Sequence, residues 1–414
     1  MANNVITSSY ITTETMRVLH NESAFLGNIN TAYDSYFAKA GAKAGSTVNI
    51  RRPVQFTVRS GATASVQDVN ETTVPVTMQP EFGIDFAFTD FDLTLSVDDF
   101  RNRYIVPAGK RLASELDIRI ATAMYQAVGN FSGTAGTPPA TAAAVLNAAV
   151  YLDNHACPRS DRMFALSPQA NASLVGGLSG LFNDQATLGR QLKTGMMATN
   201  LGVDMMMSQN MPSHTAGTQG GTPLVNGANQ GLINSGATDN PYGSTTSLVT
   251  DGWTAAAAQR LNVGDVITIA SVFEVNPETK QSTGNLRRFV ITANASSDGT
   301  GNLTAVISPA IVAGGAYQNV TARPADNAAI TVVSGTSAQT ALQNIMFHKD
   351  AFTLVTADMD VPGGMDMAER VVFDGVSLRF VRGFDITNNK RISRFDILAG
   401  YAAIRPEWAV RVPN

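Results

Sequence analysis

Apolar and polar residues alternate early in the chain, at Val48, Ile50, Val54, Phe56 and Val58. A period of two is what a half-buried strand requires. The following Arg59-Ser-Gly-Ala-Thr-Ala reads as a turn. Alternation resumes through Val74, Val76 and Met78, then Phe82, Ile84, Phe86 and Phe88. The pattern predicts two long strands joined by a polar tip. The first arm and the tip carry too few large side chains for a core, and such a hairpin needs a partner surface. Residues 1–45 are mixed and polar, with a short helix expected around 12–19. They read as an arm that packs on something else.

The period changes after Ser96-Val-Asp-Asp, a capping-box-like start. Leu112, Leu116, Ile120 and Met124 recur every fourth residue, which makes one apolar helical stripe. Pro107 predicts a break and a straight helix from Ala108. At about 1.5 Å per residue that helix is about 30 Å long, and Gly129-Asn130 ends it. Residues 138–212 read as mixed: an Ala-rich helix from near Pro139, a strand at 162–166, a helix at 168–181 and an apolar strand at 203–207.

Residues 213–252 have loop composition, and no Asp, Glu, Lys or Arg occurs at 205–238. Short β-branched strands follow: Val266-Ile-Thr-Ile, Arg288-Phe-Val-Ile-Thr, Leu303-Thr-Ala-Val-Ile and Ile330-Thr-Val-Val. Their spacing predicts a small β-barrel or sandwich that folds by itself over about 253–333. Its expected core is Val266, Ile267, Ile269, Phe273, Phe289, Ile291, Val306, Ile307 and Val332. Long alternating strands return at 371–373, 377–382, 394–398 and 409–412.

Composition narrows the function. The chain has 414 residues, 44% apolar and only 15% charged. A usual charged fraction is about 25%, so much uncharged surface is left for burial against neighbours. The net charge of −4 lacks the basic excess of a phosphate-gripping protein. One cysteine, Cys157, forms no intrachain disulfide and fits a reducing compartment. The N-terminus lacks signal-peptide features, and the apolar stretch 140–152 is too short for a bilayer, so no membrane association is expected. His20, His155, His214 and His348 have no metal-ligand spacing. Gly41-Ala-Lys-Ala-Gly-Ser-Thr lacks the ending of a phosphate loop, Gly177-Leu-Ser179-Gly180 misses the nucleophile elbow by one residue, and Asp358-Met-Asp360 reads as an exposed turn. No cofactor, metal or catalytic site is expected.

Four stretches carry a family resemblance. They are Ser96-Val-Asp-Asp-Phe-Arg-Asn-Arg-Tyr-Ile-Val-Pro107-Ala-Gly-Lys-Arg-Leu-Ala-Ser-Glu-Leu-Asp117, Gly202-Val-Asp-Met-Met-Met-Ser-Gln-Asn-Met-Pro212-Ser-His214-Thr-Ala-Gly217, Phe347-His348-Lys349-Asp-Ala-Phe352, and Arg394-Phe-Asp-Ile-Leu-Ala-Gly400-Tyr-Ala-Ala-Ile-Arg405-Pro406-Glu407. In this order they resemble the major coat proteins of short-tailed phages, a branch of the Hong Kong 97 capsid fold with an inserted domain. The resemblance implies an α+β fold with an N-arm at 1–45, an extended hairpin loop at 46–89 and a peripheral domain with a spine helix at 90–135. It further implies a first axial part and linker at 136–239, an inserted small β-barrel domain at 240–335, and axial and peripheral strands at 336–414. It implies hexamers and pentamers in an icosahedral head, with scaffolding, portal and decoration proteins as partners and packaged DNA held by enclosure only.

Under that resemblance, Arg59, Asp68 and Glu71 on the hairpin are candidate intersubunit contacts. So are Arg379, Arg382, Arg391 and Arg394, whose strands also carry Asp385 and Asp396 and so present mixed charge. A non-viral encapsulating compartment with the same fold, and a secreted β-rich surface protein or hydrolase, stay open at this point.

Overall fold

A computed structural model describes residues 8–31, 47–64, 66, 71–89, 101–178, 201–231, 244–373, 375–387 and 390–414. The chain divides into two compact units. One contains Met1–Asn49, Pro75–Ile120 and Phe352–Ala402, and the other contains Ile50–Val74, Ala121–Ala351 and Ala403–Asn414.

In the first unit, α1 (Ser8–Glu22) is longer than the sequence pattern predicted. Strand β1 (Thr47–Arg51) pairs with β2 (Thr73–Thr77). β3 (Phe82–Thr89) does not continue the hairpin, so the expected second arm is divided. The first arm is also shorter than expected, because the ladder ends at Arg51 and Pro53 has no N–H to extend it. Val54, Phe56 and Val58 alternate as a strand would, yet among the described residues no partner strand takes up the pattern. The capping-box sequence at residues 96–99 lies outside the described residues.

The long helix α2 (Val106–Ala127) follows a π-helical turn, Arg101–Ile105. Pro107 sits in its first turn, where a missing N–H costs nothing, so the expected break falls one residue before the proline. Leu112, Leu116, Ile120 and Met124 are all buried. α1 packs close to α2 because Gly109 allows it: a Cβ there would stand 3.0 Å from Val18 Cγ1. Leu116→Ala and Ile120→Ala are each expected to cost about 2–5 kcal/mol. Arg111, whose side chain is exposed, should cost under about 1 kcal/mol. Arg119, stacked 4.8 Å from the Phe82 ring centroid and 2.9 Å from Glu115, should cost about 1 kcal/mol. Urea melts of the unassembled subunit would read these differences, and equal losses on both faces would contradict the single-stripe reading.

The remaining elements follow in chain order. In the second unit are α3 (Ala142–Asn154), β4 (Arg162–Leu166), α4 (Pro168–Leu178), β5 (Asp204–Met207), β6 (Ser213–Thr215), β7 (Gly221–Val225) and β8 (Thr246–Trp253). β9 (Ala258–Leu261), β10 (Val266–Val275), β11 (Ser282–Ile291), β12 (Ala295–Ser297), β13 (Leu303–Ser308), β14 (Ile330–Val332) and β15 (Thr340–His348) come next. The first unit resumes with β16 (Phe352–Thr356), β17 (Met367–Phe373), β18 (Val376–Asp385), β19 (Lys390–Ile397) and β20 (Ala399–Ala403), and β21 (Ala409–Pro413) returns to the second.

β17, β18, β19 and β3 form an antiparallel sheet in that order. Its inner face stacks Phe380 opposite Phe395, with ring centroids 5.0 Å apart, and Leu378 and Ile397 are buried beside them. In the second unit, β21, β15, β4 and β5 make a sheet that β6 joins through β15. α3 and α4 bury Val145, Leu152, Leu174 and Leu178 in one cluster with Phe164, Met346 and Val410. Thr141 caps α3 by accepting from the Ala144 N–H.

The β-rich stretch is larger than its sequence suggests. Six strands run β14-β10-β11-β13-β8-β7, and the bridge from Leu224 to Ala329 brings the sheet's two ends together as a nearly closed barrel. β7 and β8 lie in the segment that its composition marks as loop. The correction has a physical reason. In β8 the buried positions are the alternating Thr246, Leu248 and Thr250 and, at the strand's end, Trp253, and threonine satisfies its own hydroxyl there. Thr250 Oγ1 donates to Leu303 O at 2.8 Å and accepts from Trp253 Nε1, while Thr246 Oγ1 accepts from the Ile311 N–H. Val225, Leu248 and Trp253 thus join Ile267, Ile269, Phe289, Ile291 and Ile307 in the core. Of the other expected core residues, Val266 is fully buried and Val332 is half-buried against this core, whereas Phe273 is exposed and Val306 only half-buried.

Candidate assembly surface

The hairpin beyond Arg51 holds side chains it cannot bury. Phe56, Val58 and Val66 are 60%, 99% and 92% exposed. Transfer of such side chains from water is worth about 1.5–3 kcal/mol each, so the strip is suited to a second surface. Arg59 donates to the carbonyls of Gly61 and Thr63 and so closes the turn locally. Glu71 is paired with Arg51 at 2.8 Å on the opposite arm. Asp68 lies outside the described residues.

The strand arginines are engaged within their own sheet. Arg379 places Nε and Nη2 on Asp396 Oδ2 at 3.2 and 2.7 Å, and Arg394 Nε donates to Asp396 Oδ1 at 2.5 Å. Asp396 is wholly buried between them, and Arg394 also reaches Glu81 at 2.9 Å. Arg382 and Arg391 share Asp366 Oδ2 at 2.9 and 3.1 Å. Arg382 is 8% exposed, so it braces the sheet more than it faces outward. Arg394 is the exposed member of the set, beside exposed Ile392.

Sequence reasoning missed the second unit's buried ionic groups. Asp265 is fully buried. Its Oδ1 accepts from His214 Nε2 and Ser334 Oγ, both at 2.9 Å. Its Oδ2 accepts from the N–H groups of Gly217 and Asn262 at 3.0 and 2.7 Å. Burial alone would raise the carboxyl, but these donors more than offset it and hold it below the usual carboxylate range. A second cluster joins Glu274 to His155 Nε2 and Arg287 Nη1, each 2.9 Å from Oε1. Burial opposes ionisation there too, yet the neighbouring His155 and Arg287 hold Glu274 down at about 2. Arg411 is wholly buried: Nε and Nη2 grip Gln343 Oε1, and Tyr125 and Phe131 stack on its guanidinium. One signal was available for it, a lone cation between Val410 and Val412 in an otherwise apolar strand.

Burial pushes the Cys157 thiol up to about 11, far from a reactive thiolate. His155, two residues away, points its ring nitrogens at Glu274 and at Tyr151 O. Asp358 pairs with Arg370 at 3.5 Å. Among the described residues no helix is long and apolar enough to cross a membrane.

An α+β chain with an exposed apolar strip on its hairpin presents surface suited to burial against another chain. The family model described as "P22 coat protein - gene protein 5" matches residues 12–412, and the chain belongs to this family. It is 21% identical over 378 residues to the major capsid protein of Acyrthosiphon pisum secondary endosymbiont phage 1, covering 87% of each chain. Among solved structures it is similar to one of Mycobacterium phage Che8, with 14% identity, 94% of this chain and 90% of that chain covered, and a TM-score of 0.47. The CUS-3 coat protein I-domain is 33% identical over 27% of this chain and 94% of its own, with a TM-score of 0.19. The protein is therefore a tailed-phage major capsid protein, a structural component of the virion that self-associates. A non-viral compartment is not favoured.

Proposed function

We propose that the chain forms the hexamers and pentamers of an icosahedral head around double-stranded DNA, and that its role is wholly structural. In this reading residues 8–31 belong to an N-arm, the hairpin centred on 52–72 lies on a neighbouring subunit, and α2 is the spine of a peripheral domain. The insertion spans about 213–338. A scaffolding protein guides assembly, a portal protein occupies one vertex, a decoration protein binds outside, and DNA is enclosed without a phosphate-gripping patch, consistent with the net charge of −4. Arg59, Asp68, Glu71, Arg391 and Arg394 supply polar intersubunit contacts, while Arg379 and Arg382 act through the sheet they brace.

The observation that carries this reading is the apolar strip Phe56, Val58 and Val66, which has no partner surface of its own. Deleting residues 59–70 tests it. Few apolar side chains are lost, so the subunit should melt within about 1 kcal/mol of the intact chain. Particle yield from cells expressing the head genes, counted by electron microscopy, should collapse. Normal particles that melt normally would reject the reading.

A further inference from the structure

We propose that Glu407 is a positioning residue for the hairpin. It would set the arm's direction from the interior of the second unit; the idea rests on the reading of that arm as an intersubunit contact. The hairpin is closed at its root, where the Arg52 N–H donates to Thr72 O at 2.9 Å. Among the described residues no strand pairing from Pro53 to Ser60 fixes where the first arm points.

Two side-chain contacts do. The Arg52 guanidinium is paired with the Glu407 carboxylate, and both side chains are more than nine-tenths buried. Further along, the Gln55 N–H approaches Tyr317 Oη at 3.4 Å. The two ends of the ion pair are mounted differently. Arg52 stands on a two-stranded ribbon, which is marginal by itself. Glu407 stands on a 3-10 turn, Pro406–Trp408, which begins with a proline and runs straight into the central sheet. Asn130 Nδ2 donates to Glu407 O at 3.1 Å and to Ala409 O at 2.9 Å, and this pins the turn. Arg405 stacks 4.0 Å over the Trp408 ring.

A buried ion pair contributes little net stability against an apolar pair of the same shape, but it strongly disfavours any geometry that separates the charges. Without the carboxylate, Arg52 has reason to leave for water, and the root of the hairpin would move with it. This gives a role to the Arg405-Pro406-Glu407 motif, which the described surface otherwise leaves unused.

The test uses the full chain. Glu407→Gln keeps the shape and removes the charge. In the unassembled subunit, hydrogen exchange at the Arg52 and Gln55 amides, whose bonds to Thr72 O and Tyr317 Oη the pair would hold, should quicken by roughly tenfold or more while α2 and the β21-β15-β4-β5 sheet keep their protection. Particle yield should fall with it, Arg52→Gln should act alike, and the charge exchange R52E/E407R should recover part of both. Wild-type yield and unchanged exchange in E407Q would overturn the proposal. So would failure of both single variants to give a folded subunit, since the pair would then hold the fold and not the arm. The chain deleted at 59–70 is the control. If it assembles normally, the reading of the hairpin itself fails; if it does not assemble while E407Q does, only the role of Glu407 is lost.

Discussion

Replacing Asp265 by alanine is expected to be the most damaging single substitution in the second unit, at about 3–5 kcal/mol. One carboxylate gathers four donors from three separate segments. His214 and Gly217 lie where the chain leads into the β-barrel, Asn262 is at the turn before β10, and Ser334 is where the chain leaves. The backbone closes the same neck, with the Ala338 N–H on Gly217 O at 3.1 Å. Alanine leaves all four donors buried and unsatisfied, at about 1–3 kcal/mol for each that water cannot reach. Asparagine keeps the volume but replaces one acceptor oxygen with a donor, so it should cost less than alanine and more than about 1 kcal/mol.

The same carboxylates set the acid limit. Asp265 and Glu274 are both held below their ordinary values, Glu274 at about 2. A depressed carboxyl contributes stability fully present above its unfolded value, about 4, and lost as the pH falls through the folded one. Urea midpoints of the unassembled subunit should thus hardly move, as far as these two groups decide them, between pH 7 and pH 5. They should drop steeply below pH 4. In D265N the drop should be shallower. An equal acid slope in D265N would remove Asp265 from the account.

The second large effect separates two fragments of the β-rich region. Residues 213–338 should fold alone, giving dispersed amide peaks in a proton–nitrogen correlation spectrum and a cooperative melt. Residues 253–333, the extent read from sequence, should give a random-coil spectrum. The shorter piece loses β7 and nearly all of β8, two of the six strands. With them go Val225 and Leu248, which are fully buried, and the ladder that pairs β13 from Leu303 to Ile307. Each lost core side chain is worth about 2–5 kcal/mol, against a total stability of about 5–15 kcal/mol for an ordinary domain. A dispersed spectrum from the short fragment would mean that β10, β11, β13 and β14 hold a core unaided. A random-coil spectrum from both would mean that the barrel depends on the rest of the unit.

What the sequence determined by itself is what local periodicity encodes. The four-residue recurrence from Leu112 to Met124 gave α2 its buried face, because a helix stripe needs no knowledge of its partner. Pro107 marked where that helix begins, since a missing N–H is tolerated only in the first turn. β4 stood where the sequence placed a short strand, and β10 and β13 began where β-branched runs predicted them. Four ordered motifs carried the family.

Tertiary structure alone decided how strands pair. Alternation is identical whether or not a neighbour supplies a ladder, so Val54 to Val58 and Phe82 to Phe88 looked like two parts of one hairpin. Among the described residues the first has no pairing strand, and the second sits beside β19 in a four-stranded sheet. β7 and β8 were hidden because Gly, Thr and Ser mark loops by composition, and only a partner carbonyl turns a threonine into a core residue. The charged clusters were hidden for the same reason. Asp265 lies 48 residues from Gly217 and 69 from Ser334, and Arg52 lies 355 from Glu407. Nothing local to any of them distinguishes a buried charge from an exposed one, because what permits burial is the partner that folding brings to it.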